Sequence, residues 1–167
     1  MFLDESGCNT DMTRRYAYSL GGSRTVDSAP LSKPKNTTIL SSIQLDGTLR
    51  YTTFSGGTTV ERFKRYLETD WLPHLNGNSV LIMDNMRSHH AKAVRNLLDS
   101  SGIRYIYLPP YSPDLNPIEK LWSKVKAFLR KFKARTLDAL PNAIQNAFHS
   151  VTVSDCSGWF RFCGYAL

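Results

Sequence analysis

The chain has 167 residues, 41% of them hydrophobic, which suits one domain with a sizeable core and excludes general disorder. Lysine and arginine exceed aspartate and glutamate by 7, and the pI is near 9.5, so a polyanionic partner is favoured, nucleic acid before membrane. No apolar run is long enough to span a bilayer, no secretory signal is visible, and Cys8, Cys156 and Cys163 lack zinc or disulfide spacing and read as reduced, cytoplasmic thiols.

Residues 1–4, "MFLD", read as a short apolar strand ending in a carboxylate. Residues 14–22 alternate and end at glycines, which predicts a second strand; 28–36 is a loop. Residues 37–54 are two β-rich runs around Asp46-Gly47, a hairpin signal. Over 58–75 the apolar positions Val60, Phe63, Leu67 and Trp71 share one helical face, with Thr58 or Thr59 as cap. "SVLIMDN", 79–85, is a buried strand that again ends in a carboxylate. A helix over 89–102 stops at Gly102, and 103–108 is a strand. From 116 to 133 the residues Ile118, Leu121, Trp122, Val125, Phe128, Leu129 and Phe132 form an apolar stripe. Residues 136–151 form a further helix that Pro141 kinks or starts, and an aromatic tail closes the chain.

This order predicts an α/β sheet with parallel and antiparallel pairs, whose site lies beyond the carboxyl ends of its strands. Asp4 and Asp84 stand at such ends, and neighbouring parallel strands would bring them together. Two close carboxylates repel unless a cation sits between them, and hard oxygen ligands select Mg²⁺ or Mn²⁺. A third carboxylate admits a second ion, the arrangement that activates a hydroxyl and stabilises the leaving oxygen of a phosphodiester. Glu119 is the candidate, delivered by a loop stiffened by Pro109, Pro110, Pro113 and Pro117. Alternatives stay open at each position. Glu5 or Asp11 could replace Asp4, and Asp114 competes with Glu119. Asn116 and Glu119 also read as a helix-capping pair. His89 and His90 read as solvent-facing or helix-capping.

Three blocks, "FLDESG" at 2–7, "LIMDNMRSHHA" at 81–91 and "YLPPYSPDLNPIEKLWSKVK" at 107–126, resemble the catalytic blocks of the mariner-like superfamily of DDE transposases, within it most closely the bacterial insertion-sequence 630 family. The 34 residues between Asp84 and Glu119 match that superfamily's spacing. The resemblance implies a ribonuclease H-like fold, with a mixed β-sheet flanked by α-helices, over one domain spanning 1–167. It implies cut-and-paste transposition with two Mg²⁺ or Mn²⁺ ions. Asp4 would bridge the ions, Asp84 and Glu119 would each complete one shell, and Asn85 would orient Asp84 or a water. It also implies double-stranded DNA, transposon ends and target, as partner, a homodimer assembled on that DNA, and a nucleoid-associated bacterial protein. The family's N-terminal helix-turn-helix region is not seen in this sequence, and an upstream reading frame is one expected source of it.

Lys120, Lys124, Lys126, Arg130, Lys131, Lys133 and Arg135 lie within 120–135 with no acid among them, and Arg14 and Arg15, with Arg24, form a looser group. These are candidate phosphate contacts; the bland reading of each is a solvated face. Two other functions remain: a ribonuclease H-like nuclease that cuts without joining, and an inactive DNA-binding remnant.

Overall fold

The computed structural model describes residues 1–31, 34–75 and 77–165. Ser32 and Lys33 of the expected loop, and Ala166 and Leu167 of the expected tail, lie outside the described residues.

Five strands form one sheet: β1 (Phe2–Cys8), β2 (Thr37–Ile43), β3 (Leu49–Ser55), β4 (Val80–Met83) and β5 (Arg104–Tyr107), in the order β3-β2-β1-β4-β5. β1 is antiparallel to β2 and parallel to β4; β5 is parallel to β4. The hairpin turns at Asp46-Gly47 as expected, with the Thr48 N–H donating to Asp46 Oδ1 at 2.8 Å and Gly47 at φ 87°.

Strand alternation puts a core on each face of the sheet. Phe2, Cys8, Ile39 and Ile43 face one layer, built from α3 (Ile118–Phe132), α4 (Leu140–His149) and α5 (Val153–Phe162). Leu3, Leu40, Leu81 and Met83 face the other, built from α1 (Val60–Tyr66) and α2 (Lys92–Ser101). β1 is therefore covered on both faces, the condition of a central strand. Thr59 caps α1 by accepting from the Arg62 N–H. That helix continues as a π turn over Leu67–Trp71 and a 3₁₀ turn over Leu72–His74. α2 ends at Gly102, whose φ of 69° only glycine adopts without steric cost.

Several expectations need correction. Residues 14–22 are not a strand: Tyr16, Tyr18 and Leu20 are almost wholly exposed, so the alternating pattern buries neither face. β1 runs on to Cys8, so Asp4 is not at its end. The α2 helix begins at Lys92 rather than 89, and His89 is fully buried before it. Phe132 is exposed and stacks on Phe128 instead of joining the core. Residues 158–162 of the tail complete a helix, α5, started by a capping box between Thr152 and Asp155.

Candidate active site

β1 and β4 pair in parallel only through Phe2 opposite Ile82 and Leu3 opposite Met83. The next positions in that register are Asp4 and Asp84. β1 stays hydrogen-bonded to β2 at Asp4, opposite Ser41, while β4 has already ended. The two aspartates thus stand where the parallel pair separates.

Period-two alternation decides between Asp4 and Glu5. Asp4 shares the face of Phe2 and meets α3: Trp122 donates its indole N–H to Oδ2 at 3.0 Å, and the Glu5 N–H donates to Oδ1 at 2.7 Å. Asp4 is 6% exposed. Burial, then the charge of Asp84, raises its pKa to about 7, with Glu119 adding to the push and the two N–H donors opposing it. Glu5 points to the opposite layer.

Asp84 is half-exposed and held by two donors. His89 Nδ1 lies 2.8 Å from Oδ1, and the Met86 N–H donates to the same oxygen at 3.1 Å. His89 stacks on Phe63 with 4.3 Å between centroids and sends Nε2 to Glu5 Oε2 at 3.1 Å. Burial works against a charge on His89. The hydrogen bonds and charges of Asp84 and Glu5 outweigh it and raise its pKa to about 9. Asp84 is lowered: burial pushes upward, but the His89 hydrogen bond and charge prevail. The hydrogen bonds that hold Asp84 thus come from His89 and the Met86 N–H, while Asn85 faces the same cleft. The side chain of Asn85 bonds to His90, which stacks on Tyr107. Sequence reasoning missed this histidine, because spacing alone does not show that its ring turns under the sheet.

Glu119 is exposed on the first turn of α3. The proposed capping pair does not form: α3 has no side-chain cap, and the buried Asn116 Oδ1 has no hydrogen-bond partner. Asp114 lies on an exposed 3₁₀ turn, Pro113–Leu115. Asp84 and Glu119 line one cleft of about 410 Å³, together with Asn85, Met86, Asn116 and the proline loop.

The donor set fits a hard divalent cation. It consists of carboxylate oxygens, and the pKa of Asp4 is raised first by burial and then by the charge of Asp84, a repulsion that a cation would relieve. Among the described residues, no three His, Cys, Asp or Glu side chains are gathered closely enough to enclose an ion. Like charges hold apart until a metal collects them.

The basic candidates divide. Lys124 pairs with Asp155 at 2.5 Å and Lys133 with Asp27 at 2.6 Å, while Lys120 lies 3.9 Å over the Phe162 ring. Arg135 donates to the Thr10 and Met12 carbonyls, a structural role. Lys126 and Arg130 are half-buried. Burial lowers the Arg130 pKa, and the charge of Arg15 adds to it. Lys131, Arg14 and Arg15 are exposed. No helix among the described residues is long and apolar enough to cross a membrane.

The sequence profile of the DDE superfamily endonuclease family matches residues 1–141. Over 83 residues, half of this chain and 30% of the relative, the chain is 31% identical to the transposable element Tc1 transposase of Caenorhabditis elegans. The fold superposes on the Mos1 mariner paired-end complex with Mn at a TM-score of 0.79, with 20% identity, over 96% of this chain and 51% of that one. On the Mos1 transposase catalytic domain the TM-score is 0.69, with 16% identity, over 96% and 75%. The chain spans about half the length of the Mos1 chains in those complexes. At these identities the likeness establishes the fold, which is ribonuclease H-like as expected.

Proposed function

This chain belongs to the DDE superfamily endonuclease family, and on that premise we propose that it is the catalytic domain of a cut-and-paste DNA transposase. The observation that carries the reading is the placement of Asp4 and Asp84 side by side at the mouth of a parallel strand pair, with Glu119 across the same cleft from Asp84. In this reading Asp4, Asp84 and Glu119 hold two ions, Mg²⁺ or Mn²⁺. When bound, the ions supply positive charge at the attacking and leaving oxygens of a phosphodiester. Trp122 and the Glu5 N–H fix Asp4, and His89 fixes one oxygen of Asp84 so that the other is free to ligate. Two reactions use the site in turn: hydrolysis frees a 3′-hydroxyl at the element's end, and that hydroxyl then displaces a phosphodiester oxygen in target DNA.

The partner in this reading is duplex DNA, and the working state is a homodimer on paired ends, in a bacterial nucleoid. Lys131, Arg14 and Arg15 are the contacts left free for phosphates. The test is strand transfer from pre-cut ends with Mg²⁺ or Mn²⁺. The unsubstituted chain joins ends to target, and Glu119→Gln abolishes joining with an unchanged circular-dichroism spectrum, while Asp114→Asn retains it. Cutting without joining would support the nuclease reading instead. Joining by folded Glu119→Gln would reject the three-carboxylate site.

A further inference from the structure

Tyr111 has a backbone the rest of its loop does not require. Its φ is 58°, one of two non-glycine residues among those described with positive φ. A bulky side chain there is strained by about 1 kcal/mol or more, and glycine or asparagine would fill the position at lower cost. Folding gives nothing back, because the residue is 102% exposed, so its ring packs on nothing. Tyr111 is one of the residues lining the cleft that holds Asp84 and Glu119. Pro109 and Pro110 precede it and Pro113 follows, so the loop cannot easily turn the ring away. Met86, Leu108 and the prolines make the cleft wall there largely apolar, and the cleft of about 410 Å³ lies in the range that takes a small organic group.

We propose that Tyr111 is a stacking platform for one unpaired nucleobase beside the phosphodiester handled by Asp84 and Glu119. The proposal rests on the reading of the chain as a DNA-processing domain. A nucleobase fits this wall: its flat face suits a bare phenol ring, and stacking on that ring needs no cation. Stacking one base on an aromatic ring is worth about 1–3 kcal/mol, enough to hold out a base lost from a frayed or cut end. A base still stacked in a duplex exposes no face to the ring, so the site selects unpaired ends over blunt duplex.

The experiment uses the whole chain without divalent cation, so that no catalysis enters. Two probes are compared: a blunt duplex, and the same duplex with a short single-stranded overhang carrying 2-aminopurine at its first unpaired position. The unsubstituted chain should bind the overhang probe more tightly and quench its fluorescence. Tyr111→Phe should keep both effects. Tyr111→Ala should lose the quenching and weaken overhang binding about tenfold, leaving blunt-duplex binding unchanged. Tyr111→Gly should lose the quenching in the same way yet melt at a higher temperature, since it removes the backbone strain. Equal quenching by Tyr111→Ala, or equal binding of the two probes by the unsubstituted chain, would overturn the stacking site while leaving the transposase reading intact. Binding to neither probe would overturn both.

Discussion

Asp4 provides the sharpest test, because its protonation is coupled to folding. Its pKa is about 7 in the fold against 3.8 in the unfolded chain, raised by burial and by Asp84 and Glu119. The unfolded state releases the proton first as pH rises. The fold therefore has its full Asp4 contribution below the unfolded pKa and loses it as pH climbs through the folded pKa. A difference of about three units corresponds to roughly 4 kcal/mol in total, of which about 2–3 kcal/mol falls between about pH 5 and pH 8. Asp4 is 6% exposed, so solvent screening removes little of this. Asp4→Asn cannot ionise. In urea titrations with EDTA, the stability of the unsubstituted chain relative to Asp4→Asn should fall by about that amount across the same window. Adding Mg²⁺ at the upper pH should stabilise the unsubstituted chain and not the variant, because a divalent ion binds the carboxylate form. Parallel pH profiles for the two proteins in EDTA would show that Asp4 is not a strained, charge-crowded carboxylate, and the metal-site argument would lose its physical basis.

Three further outcomes are expected. His89→Leu should cost about 3 kcal/mol or more in denaturation midpoint analysis, since it strands the Glu5 carboxylate under the sheet; adding Glu5→Gln should recover part of the loss. Gly47→Ala should lower stability by about 1–2 kcal/mol, because φ is 87° and the new Cβ would stand 2.8 Å from Val153 Cγ2; a neutral result would mean that the hairpin turn does not pack on α5. Asp155→Ala should cost about 1 kcal/mol by removing the α5 capping box. The Lys124 hydrogen bond, and after it the capping hydrogen bonds from Thr152, hold the Asp155 pKa low, so their contribution is present above the ordinary aspartate range and fades as pH falls through the depressed pKa. Thermal melts of Asp155→Ala and the unsubstituted chain should therefore converge in acid.

The sequence by itself determined the elements whose patterns are local. The hairpin at Asp46-Gly47, the apolar run of β4 and the stripe from Ile118 to Leu129 are each decided by turn chemistry or side-chain period, and each appears where expected. The α5 cap was legible too, in Thr152 and Asp155 three residues apart, although no helix was assigned to the aromatic tail that follows. Alternation in 14–22 misled for the opposite reason: a period of two makes a strand only where the segment pairs and buries a face, and Tyr16, Tyr18 and Leu20 stay exposed outside the described sheet. Which carboxylate serves with Asp84 was a matter of tertiary structure. Asp4 and Glu5 are adjacent in sequence, and only the two-sided burial of β1 sends one to Trp122 and the other to His89. The same is true of His89 itself. Its burial could not be read from its neighbours, because the cavity that encloses it is made by Phe63 from α1, by Glu5 from the middle of β1 and by Asp84 from just beyond β4. Local sequence fixes which groups the chain owns; the sheet's register and its two helical layers fix which of them meet.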